Sequence, residues 1–269
     1  MPELPDLEAI RSFLSERLPG VRIEQAQALI PVVFRIPKTD FQAILEGNTF
    51  GETLRRGKLL LFNLESGHCM GVNPMLAGRF QYCPPQEKLR AKTCMALTLA
   101  NGWELRYVDE RLMGKVYLVR EDSLEQIPQF AEMGPDALSA ELTEEIFAQR
   151  LQRHNGQIKN VLVNHRFVAG IGNAYADEIL FAAGIHPYRK RPTLSEEEVS
   201  RLYDAVRSVF QWAIPIVAER TKEDLPSEEV RDFLRVHRRG GQPCPNCGNR
   251  ITEITAGRRI TSFCRHCQN

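Results

Sequence analysis

Leu7, Ile10, Leu14 and Leu18 recur at spacings of three and four, the period of an amphipathic helix. Pro5 and Asp6 suit its first turn, and Pro19-Gly20 stops it. From about Val21 to Val119 the period changes to short apolar or alternating runs. Examples are Lys58-Leu59-Leu60-Leu61-Phe62, Met95-Ala96-Leu97-Thr98-Leu99 and Lys115-Val116-Tyr117-Leu118-Val119. Turn signals at Glu65-Ser66-Gly67, Cys83-Pro84-Pro85 and Asn101-Gly102 separate them. This pattern predicts a β-sandwich or barrel with a leading helix. The acidic stretch 121–140, with Met133-Gly134-Pro135-Asp136, reads as a linker. After Leu142 the helical period returns and predicts helices near 143–153, 157–166, 173–183, 195–219 and 227–234. Gly240-Gly241 then opens a cysteine-rich tail. The expected class is α+β multidomain: a β-sandwich over 1–125, a helical domain over 140–236 and a finger over 237–269.

Composition changes this picture little; distribution changes it more. The 269 residues, 43% hydrophobic and 26% charged, describe an ordinary globular chain. A net charge of +1 does not announce a nucleic-acid partner. Residues 237–269, however, hold six arginines against one glutamate, whereas 121–145 hold eight acidic residues and no lysine or arginine. A basic tail alone is more often a solvated surface than a binding site. No apolar run approaches the ~20 residues of a membrane span. The start, MPELPDLE, lacks the basic and apolar regions of a signal peptide. A cytoplasmic protein without membrane association is expected. Of seven cysteines, Cys69, Cys83 and Cys94 are scattered and read as buried free thiols.

The other four form two CxxC pairs, Cys244-Pro-Asn-Cys247 and Cys264-Arg-His-Cys267. Each pair supplies two thiolates from one tight turn, and together they close a tetrahedron around one Zn²⁺. Four sulfurs fill the sphere, so His266 is not needed and the metal is structural. Such a short finger buries little core, so zinc must supply much of its folding free energy. Between the pairs, residues 250–263 read as two short strands with Ala256-Gly257 at the turn. Arg258 and Arg259 near the tip suit a DNA groove or phosphates; a solvated hairpin fits equally well.

Two further features carry weak signals alone. Asn160 to Leu180 reads as helix, glycine turn, helix, with Gly170 and Gly172 in the turn and Asn173 placed as N-cap. Exposed N–H groups at that helix start favour a phosphate, although an ordinary helical hairpin has the same pattern. At the head of the chain, removal of Met1 would leave Pro2 with a free secondary amine. An α-amino group titrates near ~7.7–8.0, so a useful fraction is neutral at physiological pH. A neutral amine can attack C1′ of a sugar and carry it as an iminium, with Glu3 shuttling protons. Many unrelated proteins also begin Met-Pro.

These features, in this order, resemble the formamidopyrimidine-DNA glycosylase/endonuclease VIII family from Pro2 to Gln268. Pro2-Glu3-Leu4-Pro5 is similar to the family's amino-terminal motif, and Arg56-Gly57-Lys58 to its Arg-Gly-Lys strand. Asn160 to Pro187 resembles its helix–two-turn–helix segment, and Arg259 to Gln268 the end of its finger. The resemblance implies a DNA base excision repair glycosylase and AP lyase acting on double-stranded damaged DNA, as a monomer. It implies Pro2 as nucleophile, Glu3 as proton donor, Lys58 as an aid to β-elimination, and Arg259 as a phosphate ligand assisting δ-elimination. Lys159 and Asn173 would hold the backbone beside the lesion. Flipping the nucleotide is required because a stacked sugar cannot present C1′ to an amine.

Several positions depart from the family pattern. Asp109-Glu-Arg111-Leu-Met113-Gly stands where Asp-Pro-Arg-Arg-Phe-Gly is usual. Arg111 keeps a contact to the orphaned base, and Met113 replaces an aromatic wedge. Leu76 falls at the usual void-filling methionine, with Met75 beside it. Asp6 replaces a common glutamate, a histidine near Leu89–Lys92 is missing, and the stretch between Trp212 and His237 is short for a loop that covers 8-oxoguanine. These changes predict weak 8-oxoguanine activity relative to oxidised pyrimidines or ring-opened purines. A non-catalytic lesion-binding protein on the same fold is the alternative.

Overall fold

The computed structural model describes residues 1–257 and 259–269; Arg258, named above at the hairpin tip, lies outside the described residues. The chain forms two compact units. The first comprises 1–132 with 216–230, the second 133–215 with 231–269.

In the first unit, helix α1 spans Leu4–Ser15 and leads two four-stranded antiparallel sheets. The strands are β1 (Ile23–Ala28), β2 (Phe50–Arg56), β3 (Leu59–Leu64), β4 (His68–Asn73), β5 (Gly78–Cys83), β6 (Thr93–Leu99), β7 (Glu104–Asp109) and β8 (Lys115–Arg120). One sheet runs β1-β6-β7-β5 and the other β2-β3-β4-β8. Their inward side chains, including Phe50, Phe62, Phe80, Leu97 and Tyr107, share one core with Leu7, Ile10 and Leu14 of α1. The expected β-sandwich with a leading helix is the observed architecture.

Three local departures have physical causes. Helix α2 (Lys38–Leu45) interrupts the strand-rich region. Phe41 and Leu45 are four residues apart, share a helix face and are both fully buried. Lys58 is not on a strand: Arg56 pairs with Leu59, so Gly57-Lys58 is a two-residue hairpin turn, with Gly57 at φ +58°. The acidic stretch after β8 is no free linker at its start. It forms a 3₁₀ turn over Glu121–Gln126, and buried Ile127 covers the outer face of the second sheet. A Cβ on Gly71 would meet Ile127 Cδ1 at 2.9 Å.

The second unit contains α3 (Glu144–Leu151), α4 (Ile158–Leu162), α5 (Asn173–Ala183), most of α6 (Glu196–Thr221) and the hairpin β9 (Thr252–Ala256) and β10 (Arg259–Phe263). Helix α5 is buried around most of its circumference and ends at Gly184, whose φ of +70° suits only glycine well. The helix expected near 227–234 is absent. Residues 235–237 instead turn their N–H groups onto the Glu178 carboxylate, and Phe233 packs edge-on against Trp212. Residues 216–230, read from sequence with the helical segment, group with the first unit because Leu225 joins its core and Glu229 pairs with Arg79. Among the described residues no helix is long and apolar enough to cross a membrane.

Cys69, Cys83 and Cys94 are buried free thiols. Burial raises their pKa from an ordinary 9.0 to about 12, about 11 and about 11 respectively, with Glu121 adding to the effect at Cys69. The folded thiols stay neutral where unfolded ones ionise. Their contribution to stability should therefore be complete below pH 9.0 and fall as pH rises towards 11 and 12. Mass spectrometry after iodoacetamide treatment should find these three positions unlabelled in native protein at neutral pH and labelled only after unfolding.

Candidate nucleic-acid interface and metal centre

Helix α1 begins on Glu3, whose backbone N–H donates to Asp6 Oδ2 at 2.7 Å while its side chain accepts from the Asp6 backbone, a reciprocal capping box. Pro2, Glu3 and Asp6 are consequently buried and fixed at the helix head. Met1 is attached here, and its ammonium pairs with Glu229 at 2.5 Å, itself bound by Arg79 at 2.6 Å. In this unprocessed state the Pro2 nitrogen is a tertiary amide and carries no nucleophilic lone pair.

Lys58 is half-buried in its turn, and the turn is tied to α1. Arg55 donates through Nε to Glu8 of α1 at 2.8 Å and through Nη1 to the Gly57 carbonyl at 2.9 Å. The Glu8–Arg55 pair, which the sequence reading did not single out, thus holds the Lys58 hairpin against the helix that carries Pro2 and Glu3.

Leu76, Arg111 and Met113 project from two loops of the first unit, and all three are exposed. The loops are braced from below. Buried Asp109 accepts the Arg111 N–H at 3.0 Å and the Gly114 N–H at 2.6 Å. The Tyr107 hydroxyl fills the space under both loops: a Cβ on Gly78 would lie 2.2 Å from it, and one on Gly114 1.8 Å. Met75 and Leu112, which immediately precede Leu76 and Met113, hold positive φ of 51° and 53°. Such backbone is costly for non-glycine residues and persists only where its surroundings enforce it.

In the second unit, Lys159, Asn173 and Arg259 line one cleft of about 390 Å³, together with Asn160, Tyr188 and Thr261. Asn173 is the first helical residue of α5, and Gly172 is the cap. Its side chain does not cap the helix but donates to the Ile260 carbonyl at 2.8 Å. Arg259 starts β10 and is exposed. Lys159 is buried beside Asp177 at 2.6 Å. Neither Asp177 nor Glu178 was a candidate from sequence, although two acids inside a helix that is otherwise mostly Ala, Tyr, Ile, Leu and Phe are a legible anomaly. Burial raises the Glu178 carboxyl pKa, and the N–H groups of His237, Val236 and Arg235 pull it back.

Cys244, Cys247, Cys264 and Cys267 place their sulfurs within 4.8 Å of one another. Cys244 Sγ to Cys267 Sγ is 3.8 Å, and Cys247 Sγ to Cys264 Sγ is 3.5 Å. A tetrahedral Zn²⁺ with Zn–S near ~2.3 Å sets its sulfurs about 3.8 Å apart. The geometry fits one structural zinc with no open position. His266 is exposed and outside the cluster. Phe181, Val236 and Ile251 form the small apolar core around the sulfurs. Buried Gln268 ties the tail down, accepting the Cys264 N–H and donating to the Ile185 carbonyl.

Comparison with known proteins agrees with this anatomy. The family model described as the formamidopyrimidine-DNA glycosylase N-terminal domain matches residues 1–116, and that glycosylase's H2TH domain matches 133–224. A zinc finger found in FPG and IleRS matches 241–269. The chain is 35% identical to a formamidopyrimidine-DNA glycosylase of Pelotomaculum thermopropionicum, covering 100% of this chain and 99% of that one. The Lactococcus lactis Fpg in complex with abasic-site DNA superposes with a TM-score of 0.90 at 27% identity over 100% of both chains. The MutM (Fpg) protein from Thermus thermophilus superposes with a TM-score of 0.87 at 32% identity over 99% and 98%.

Gly114→Ala should destabilise the protein by about 1–3 kcal/mol, because the added methyl must displace the Tyr107 hydroxyl from a packed core; a thermal melt measures this. Cys247→Ser should lose zinc, measured by metal analysis, and weaken duplex binding about tenfold or more as the finger unfolds. Normal affinity in the zinc-free variant would remove the finger from DNA binding.

Proposed function

The chain belongs to the formamidopyrimidine-DNA glycosylase family, and on that footing we propose that it is a base excision repair enzyme acting as both DNA glycosylase and AP lyase. The observation carrying this reading is the fixed placement of Pro2 and Glu3 at the capped head of α1, in a chain whose second unit has a cationic cleft containing Asn173 and Arg259. Residues 1–125 would carry the chemistry, while 140–236 and the finger at 237–269 would hold duplex DNA. The protein would work as a cytoplasmic monomer.

The proposed chemistry begins once Met1 is removed and Pro2 becomes a secondary amine. Its lone pair attacks C1′ of an extruded damaged nucleotide. The glycosidic bond breaks, its electron pair leaves with the base, and Glu3 supplies the proton that neutralises the departing group. The Pro2 ammonium loses its proton, its lone pair then expels the ring oxygen as the C1′–O4′ bond breaks, O4′ takes up a proton, and an iminium links Pro2 to the opened sugar. Removal of a C2′ proton, assisted by Lys58, expels the 3′ phosphate; a second elimination, assisted by Arg259, expels the 5′ phosphate. Arg111, Met113 and Leu76 would occupy the space left in the duplex, Arg111 facing the orphaned base. Asn173 and Arg259 would grip the backbone. The structural zinc holds the finger's fold and takes no part in the bond changes.

The second reading, a lesion binder without turnover, keeps the same cleft and finger but makes no covalent adduct. Borohydride reduction on abasic-site DNA separates the two. Processed protein should be trapped at Pro2, and protein with an N-terminal extension should not; an adduct at any other residue would refute the proposal. Arg259→Gln should retain β-elimination products while losing most δ-elimination product on a sequencing gel. In single-turnover assays, 8-oxoguanine opposite cytosine should be released at least about tenfold more slowly than a ring-opened purine, because the short 212–237 stretch offers little to cover it.

A further inference from the structure

The family resemblance makes Lys159 a backbone ligand, but its surroundings in this chain suggest a different task. Its Nζ lies 2.8 Å from the Ile260 carbonyl, 2.9 Å from Thr261 Oγ1 and 2.6 Å from Asp177 Oδ1. An ammonium carries three protons, and three protein oxygens already stand at hydrogen-bonding distance. The side chain is 7% exposed. Two of those oxygens belong to the residues immediately after Arg259 on β10.

Asp177 continues the arrangement. It is 1% exposed. Its second oxygen lies 2.7 Å from His237 Nδ1 and accepts the Ser262 N–H at 3.0 Å. Lys159 and Asp177 therefore hold three consecutive residues of the strand, 260 to 262, by carbonyl, hydroxyl and N–H. Ser262 Oγ in turn accepts the Arg238 N–H at 3.0 Å, next to His237. For Lys159 to reach a phosphate it must leave a buried carboxylate beside the His237 ring and the Ser262 N–H without its ammonium, and buried charges left short of partners are strongly disfavoured.

We infer that Lys159 is a positioning residue and not a phosphate ligand. With Asp177 and His237 it forms a buried ionic clamp that fixes β10, so that Arg259 at the strand's head meets the phosphate. This rests on the DNA-binding reading above. The two assignments predict opposite signs for one substitution. If Lys159 were a phosphate ligand, Asp177→Asn would release it to the DNA and affinity would hold or rise. If it is part of a clamp, the same substitution leaves a buried lysine without its carboxylate, β10 loosens and affinity falls.

The test uses the full-length zinc-loaded protein and a duplex carrying an uncleavable tetrahydrofuran abasic analogue, titrated by fluorescence anisotropy between about 50 and 200 mM salt. Lys159→Gln and Asp177→Asn should each weaken binding about tenfold or more. The double variant, a neutral pair able to exchange a hydrogen bond, should bind within about threefold of the parent, because residues in direct contact are non-additive. Its salt dependence should match the parent's. The inference is overturned if Lys159→Gln lowers the logarithmic salt slope by about 0.9 and Asp177→Asn does not restore it, or if Asp177→Asn alone binds as tightly as the parent. Zinc content is measured on each protein. Should a single variant lose its metal, the double variant's slope decides. Borohydride trapping of the unmodified protein tests the glycosylase reading separately, so failure of either can be told from failure of the other.

Discussion

Two adjacent carboxylates inside one helix set the terms for the second unit. Asp177 and Glu178 are each 1% exposed on α5, and a buried, unpaired carboxylate would cost several kcal/mol. The partners they find come from elsewhere in the chain. Lys159 comes from α4, the N–H groups of 235–237 from the approach to the finger, and Ser262 from β10. The helix cannot bury its acids without ordering these segments, and the segments carry the cleft residues. Burial that looks unfavourable in isolation is thus the reason the cleft has one shape.

The first unit uses the same logic at smaller scale. Asp109, fully buried at the end of β7, satisfies itself on the N–H groups of the following loop, and Tyr107 supports that loop and the one before β5 from beneath. At the other end, Arg55 joins Glu8 to the Gly57 carbonyl. In each case a polar group taken out of water dictates the backbone course of a candidate site residue. Zinc plays the corresponding part in the finger. Its apolar cluster, centred on Phe181, Val236 and Ile251, is too small to order a hairpin alone, so four sulfurs must be drawn together.

The sequence was legible where a short-range rule applied. Period alone located α1 and the sandwich strands, and the CxxC spacing located the metal site. Motif order brought in the family, and with it the candidates Pro2, Glu3, Lys58 and Arg259. It was opaque where distant groups settle the outcome. Residues 227–234 have a helix-like pattern, yet their continuation is claimed by Glu178 nearly sixty positions earlier. The period missed α2 because its two buried residues, Phe41 and Leu45, span barely more than one turn. Asn173 looked like a cap, but the Ile260 carbonyl takes its amide. Nothing local to Asp177 names its partners, although its presence among apolar neighbours marks it as a residue that needs some.

The pairing of His237 with Asp177 bears on how freely such fingers can be exchanged. A zinc ribbon with its own metal looks like a cassette, separable at the glycine pair 240–241. The pair stays on the near side of that cut, together with the Glu178 partners at 235–237. What crosses it is the grip on β10, where Lys159, Asn173 and Asp177 hold Ile260, Thr261 and Ser262. A borrowed finger should therefore be accepted only where it offers the same carbonyl, hydroxyl and N–H at those three positions.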